Sequence, residues 1–279
     1  MTSSAVATVD ETTALAAEVV AEVRKRGVCI VPEFFSKEQC DTFVRVLKEA
    51  LDRRLKSGKY FGSRSQQVMY NFFVENEELY PLVLNPLIDA VMTELIDEDY
   101  VLISPSARNP QVRPDLPEGV KTSGAGWHID SKVCDQEGNL YQPSMSYYAA
   151  TAIEAFTPEN AATHYIPTSH LRYKKPKERN AELEHETLQA PAGSLVFFDS
   201  AMWHKVGTPT PVSRWSAFNM YGPWFMKPYF RFTENFTEGQ AKNLPTNIRK
   251  LLHFTSMPPV NEFGATTSTV VKETPGKSV

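Results

Sequence analysis

From Thr13 onward, Leu15, Val19, Val20 and Val23 recur at helical spacing, which predicts a helix over 13–26 with Gly27 placed to end it. A short β-branched run over 28–32 reads as a strand. Ser36 is placed to cap an amphipathic helix over 36–55, and Gln39, three residues on, completes a capping box. A further helix is predicted over 86–96. From Tyr100 the pattern changes to short runs rich in β-branched and aromatic residues between Pro, Gly and Asn. These predict strands over 100–104, 127–133, 144–156, 163–166, 194–198, 203–206 and 214–221. Helices followed by many short strands imply one α+β domain over 1–279, a β-sandwich or jelly-roll core braced by N-terminal helices. Residues 1–12 and 268–279, rich in Ser, Thr and small residues, are expected to be frayed tails.

Composition narrows the class without touching the chemistry. With 42% hydrophobic and 22% charged residues, a chain of 279 can bury a sizeable core. A formal net charge of −4 argues against a general nucleic-acid binder, which presents a basic face. No apolar run reaches membrane-spanning length, and the first residues lack the basic and apolar regions of a secretory signal. Three cysteines (Cys29, Cys40 and Cys134) without a Cys-x-x-Cys pair suit a reducing, cytoplasmic setting. The expected partner is a small-molecule substrate, and the assembly allowed for is a homodimer.

The chemistry gathers at two places. His128 and Asp130 flank Ile129, so on a strand they point to one side and can share a metal. A His-x-Asp triplet alone is weak evidence, since a solvent-facing pair has the same spelling. The second place is Gly193 to His204, where an apolar strand and a tight turn lead to a histidine that a jelly roll returns to the same mouth. Two histidines and one carboxylate leave adjacent positions open on a six-coordinate ion, the arrangement of non-haem Fe(II) oxygenases. Arg214 starts the next predicted strand. A buried guanidinium there suits the far carboxylate of 2-oxoglutarate, although an arginine at a strand start is more commonly a surface ion-pair partner.

With these residues in hand, the chain resembles the phytanoyl-CoA dioxygenase-like family of Fe(II)/2-oxoglutarate oxygenases. The likeness runs through the strand-turn-helix from Gly27 to Ser36, the Thr157 to Thr163 segment leading into Ile166-Pro-Thr-Ser-His170, and Gly193 to His204. Arg214 and the closing Leu244 to Leu252 complete it. The resemblance implies a double-stranded β-helix, a jelly roll, with iron at His128, Asp130 and His204 and 2-oxoglutarate on Arg214. It further implies O2 as co-substrate, succinate and CO2 as products, and contacts to the co-substrate from Thr163 and Gln67. The expected outcome is oxidation of an unactivated C–H bond of a metabolite, by default hydroxylation, in secondary metabolism. This sequence departs from the family at Thr168, where relatives carry Gly, and at Ala125, where many carry Gln. Asp130 speaks against a halogenase, in which a small residue leaves room for chloride.

Two other readings stay open at this level. A zinc hydrolase can use the same His/Asp/His set with a metal-bound water, and a jelly-roll binding module needs no chemistry at all. His164 and His170 are rival ligands by type, with His170 expected to stabilise a turn; His185 is expected in solvent and His253 in packing or at the surface. Cys134 is close enough in sequence to line the pocket, but is a poor ligand beside a carboxylate. The aromatic stretch 222–231 is a candidate substrate wall. Arg172 to Arg179 holds five basic residues in eight, a solvated loop at first sight and an anion-binding patch in the alternative.

Overall fold

The computed structural model describes residues 9–58, 67–111, 126–131, 133–141, 144–208 and 210–256. Helix α1 (Val9–Arg26) carries Asp10 and Glu11 in its first turn and Arg24, Lys25 and Arg26 in its last, charges that oppose the helix dipole at both ends. It buries Ala16, Val19, Val20 and Val23 on one stripe. Gly27 ends it at φ +88°, where a side chain would stand 2.7 Å from the His170 ring. Residues 9–12, expected in a frayed tail, belong to this helix, and the expected tail over 268–279 lies outside the described residues. In α2 (Lys37–Lys56) the capping box is present in both directions between Ser36 and Gln39. Its buried stripe includes Phe43, Val46, Leu47 and Leu51, each worth about 1.5–3 kcal/mol on burial. Asn85 caps α3 (Pro86–Leu95) by accepting from the amides of Leu87 and Ile88, with Pro86 at the first turn.

These helices cover one face of a six-stranded antiparallel sheet. Its strands are β1 (Val28–Val31), β2 (Gln67–Tyr70), β3 (Val101–Asn109), β4 (Tyr147–Ala152), β7 (Ser194–Asp199) and β9 (Ser216–Gly222), in the order β1-β7-β4-β9-β3-β2. A smaller sheet holds β5 (His164–Tyr165), β6 (Glu186–Thr187) and β8 (His204–Lys205), in the order β6-β5-β8. The period of two divides each central strand. Leu195 and Phe197 of β7 and Tyr147 and Ala149 of β4 join the helix-side core. Val196, Phe198, Tyr148 and Ala150 face the other way and pack with Tyr165, Leu188 and Met202. The fold is a jelly roll braced by helices, as expected, and its second core is where the sheets meet. Two short helices, α4 (Glu238–Asn243) and α5 (Thr246–Leu251), close the described chain, and Ile248 and Leu251 of α5 join the helix-side core.

Three strand expectations are corrected. The strand expected over 100–104 runs on through Pro105 to Asn109, because β3 bulges between Leu102 and Ser104 and so accommodates a proline in a central position. The segment 127–131 is not a regular strand. The amides of Asp130 and Ser131 both donate to the Ser200 carbonyl, and His128 alone forms a β-bridge, to His204. Finally, β9 begins at Ser216, so Arg214 precedes its strand.

Candidate metal centre

The bridge fixes the two histidines. His128 and His204 exchange both main-chain hydrogen bonds, at 3.1 and 3.0 Å, which sets their rings side by side with centroids 4.3 Å apart. Each ring then donates its Nδ1 proton to a carbonyl two residues back, His128 to Gly126 and His204 to Met202, both at 2.8 Å. A carbonyl can only accept, so each neutral ring keeps its proton on Nδ1 and leaves the Nε2 lone pair free. Asp130 faces both: Oδ2 lies 3.4 Å from His204 Nε2 and Oδ1 lies 3.8 Å from His128 Nε2. One donor atom from each of the three falls within 4.8 Å of the others. Two neutral imidazole nitrogens and a carboxylate, with tautomers set by carbonyl acceptors, fit a divalent metal such as Fe(II).

Charge within the triad is divided by environment. Burial, reinforced by His204, pushes His128 down to about 4. Burial acts the same way on His204, but its hydrogen bond and attraction to Asp130 outweigh it and leave that ring raised. Burial works against the Asp130 carboxylate too, yet His204, His128 and Arg108 hold it well below the usual range. Tyr148 lines the same cavity as Asp130, and its ring stacks on Phe198 at 4.6 Å.

The triad opens on an inner cavity of about 130 Å³. Thr163 and Arg214 line it, as do Arg108, Tyr148, Phe198 and Phe218. Arg214 is 2% exposed, and its Nε and Nη1 find no hydrogen-bond partner among the described residues. Burial, with Arg108 adding to it, pushes Arg214 down to about 9. Its guanidinium sits 4.6 Å from the Phe156 ring centroid, and that ring stacks against Phe218, over which Arg108 lies at 5.6 Å. The Arg214 main chain is hooked from both sides. Its amide donates to Asn109 Oδ1 at 2.9 Å, and Glu154 accepts from Ser213 Oγ and the Trp215 amide, both at 2.7 Å.

Gln67 is not among the residues lining this cavity. It accepts from Asn109 Nδ2 at 3.3 Å and so reaches Arg214 through Asn109, at one remove. Arg108 and Tyr148 were missed as site residues. The expected strand stopped before Arg108, while Tyr148 reads as one aromatic among several on β4. An arginine on a strand otherwise apolar toward the core was the available signal.

The other histidines stand elsewhere. His170 is buried and donates from Nε2 to the Arg24 carbonyl, tying its turn to α1 as expected. His164 stacks on His185 at 4.4 Å, and His253 is buried with Nε2 on the Leu102 carbonyl. Cys134 packs with Ile129, Leu140 and Ala201 rather than lining the inner cavity. In the aromatic stretch, Tyr229 is half-exposed and close enough to feel the Asp130 charge. No described helix is long and apolar enough to cross a membrane.

Residues 23–214 match the family model described as phytanoyl-CoA dioxygenase. Uncharacterized proteins of Mycobacterium tuberculosis and Mycobacterium bovis are each 41% identical over 59 residues, a segment that spans 21% of this chain and 22% of the relative's length. Among solved structures, the fold is similar to that of SnoN, a non-haem α-ketoglutarate-dependent epimerase from nogalamycin biosynthesis. The TM-score is 0.57 at 16% identity, over 84% of this chain and 90% of that one. It is also similar to HygX of Streptomyces hygroscopicus, solved with nickel, 2-oxoglutarate and hygromycin B. There the TM-score is 0.57 at 14% identity, over 76% of this chain and 89% of that one.

Proposed function

The chain belongs to the phytanoyl-CoA dioxygenase family of iron- and 2-oxoglutarate-dependent enzymes, and on that premise we propose that it hydroxylates a C–H bond of a small-molecule metabolite. In this reading His128, Asp130 and His204 hold Fe(II), Arg214 binds the far carboxylate of 2-oxoglutarate, and Thr163 lines the path between them. The observation that carries it is the unpartnered Arg214 guanidinium in the same cavity as the triad. A buried cation without an acceptor is costly, and a dicarboxylate spanning from metal to guanidinium removes that cost. A zinc hydrolase would give Arg214 nothing to bind.

Bound at the triad, iron would supply the redox chemistry through which O2 oxidises both 2-oxoglutarate, to succinate and CO2, and the substrate. The chain's own residues do the positioning. Gly126 and Met202 keep the imidazoles in the ligating tautomer. Phe198, Met202, Leu188 and Val206 line the cavity with apolar surface that keeps water from the reacting centre. Structural neighbours from antibiotic biosynthesis, SnoN among them, make a secondary metabolite the substrate class to screen first. The test is succinate release from 2-oxoglutarate with Fe(II), against Zn(II), across such a panel. Fe(II)-dependent succinate matched by a product heavier by one oxygen supports the reading; hydrolysis with Zn(II) and no succinate ends it.

A further inference from the structure

A second cavity adjoins two of the three candidate ligands. It measures about 340 Å³, and the residues common to its lining and that of the inner cavity are His128 and Asp130. Trp127, Ile129 and Ser131 also line it, with Lys175, Pro176 and Arg179 of the basic segment. Two cavities therefore meet at His128 and Asp130, one lined by Arg108 and Arg214 and the other by Lys175 and Arg179.

The main chain of the basic segment is held in place, while the Lys175 and Arg179 side chains are exposed. The Trp127 amide donates to the Arg179 carbonyl at 2.7 Å, and the Trp127 indole donates to Ala181 at 2.9 Å. On its other flank, the Trp203 indole donates to the Lys174 carbonyl at 2.7 Å and the Lys175 amide to Gly138 at 3.0 Å. Gly126 permits this closeness, since a Cβ there would stand 2.3 Å from the Arg179 carbonyl oxygen. Both anchoring tryptophans adjoin a triad histidine, so the segment is fixed relative to the metal ligands. Among the described residues, neither Lys175 nor Arg179 is ion-paired to a carboxylate. Two cations that line a cavity together with His128 and Asp130 have a use if the occupant brings negative charge.

Resting on the oxygenase reading above, we propose that the primary substrate enters from this outer side and carries an oxyanion, a carboxylate or phosphate ester, held by Lys175 and Arg179 with the carbon to be oxidised beside His128 and Asp130. A cavity of this size holds one small molecule, so the anion and the reacting carbon belong to the same compact scaffold. The inner cavity, with the buried Arg214, remains the seat of 2-oxoglutarate.

The probes are phenyl phosphate, benzoate and benzyl alcohol, matched in size and differing in charge. They are titrated into the full chain with excess 2-oxoglutarate present, and tryptophan fluorescence is read because Trp127 lines the cavity. At least one anion should bind roughly tenfold more tightly than the alcohol, in a salt-sensitive way. Lys175→Ala with Arg179→Ala should erase that preference, and Lys175→Arg with Arg179→Lys should restore it. Tighter binding of phenyl phosphate or of benzoate tells which oxyanion suits the site. Equal binding of anion and alcohol, no anion binding, or an anion affinity lost only in Arg214→Ala would each overturn the inference. Because binding is read directly, failure here is separate from failure of the oxygenase reading, which shows as absent succinate in the unmodified enzyme.

Discussion

His128 and His204 hold each other by their main chains, each amide donating to the other's carbonyl, while their side chains present Nε2 to a common point beside Asp130. The bridge belongs to the backbone, so the ligand geometry survives loss of either imidazole.

That separation predicts the behaviour of His128→Ala and His204→Ala. Each should lose high-affinity Fe(II) binding and Fe(II)-dependent succinate formation, while the unfolding midpoint of the metal-free protein moves by only a few degrees, equivalent to about 1 kcal/mol. Calorimetric metal titration together with thermal unfolding checks both halves. Substantial turnover in both variants would remove the triad assignment.

Arg214 predicts a trade between stability and function. Arg214→Met keeps the bulk over Phe156 and removes an unpartnered buried charge, so the ligand-free variant should be at least as stable as the parent. It should lose about 2–4 kcal/mol of 2-oxoglutarate binding, the worth of a desolvated charged contact. Denaturant unfolding with and without 2-oxoglutarate reads the two effects in one experiment. An unchanged 2-oxoglutarate stabilisation would transfer the carboxylate to Arg108.

Thr168 explains one departure from the family. Its φ is +61°, a left-handed conformation that suits the Gly the family resemblance leads one to expect and that a β-branched side chain adopts only under strain. Thr168→Gly should therefore stabilise the fold by about 1 kcal/mol in equilibrium unfolding. A loss of stability would mean that Thr168 contributes a contact worth more than its strain.

These sites also show what a sequence can and cannot carry. The Ser36–Gln39 capping box and the apolar strand before His204 are local, and both are legible in the sequence. His128, Asp130 and His204 were legible because a metal demands particular donors, and the matching segments supplied their phase. The failures lie where tertiary contacts override a local rule. Pro105 reads as a stop, yet a bulge in β3 lets the strand pass and carries Arg108 into the inner cavity. Gln67 was right in neighbourhood and wrong in reach, since its partner Asn109 belongs to that unforeseen extension. Loop 172–179 is a charge run in the sequence; only its hydrogen bonds to Trp127 and Trp203 place it beside the ligands.

His253 gives a pH prediction with a definite sign. Burial lowers its pKa, and Nε2 donates to the Leu102 carbonyl, so the folded ring stays neutral where the unfolded one takes up a proton. Its contribution is present above the unfolded value near 6.5 and is lost as pH falls through the lower folded value. Gln keeps a donor and does not titrate, so His253→Gln should flatten the fall in stability as pH drops below about 6.5. Parallel curves for parent and variant would show that this ring titrates alike in both states.

Asp130 bears most directly on the reaction. It supplies the negative charge of the triad, and the attraction of His204, His128 and Arg108 keeps it ionised. Asp130→Gly removes that charge and one donor while leaving both imidazoles bridged through the backbone. Changes to groups that merely support a ligand cost about 10–100-fold in metal affinity, so loss of the ligand itself should cost at least about a hundredfold. Hydroxylation should fall at least as far. Asp130→Glu keeps the charge but pushes the carboxylate out by about one bond length, near 1.5 Å, into the space between the two rings. It should bind metal more tightly than the Gly variant and turn over more slowly than the parent. Succinate yield and product mass at saturating Fe(II) and 2-oxoglutarate order the three proteins as parent, Glu, Gly. A Gly variant that hydroxylates as well as the parent would show that Asp130 is no ligand, and the metal would then have to be sought elsewhere in the chain.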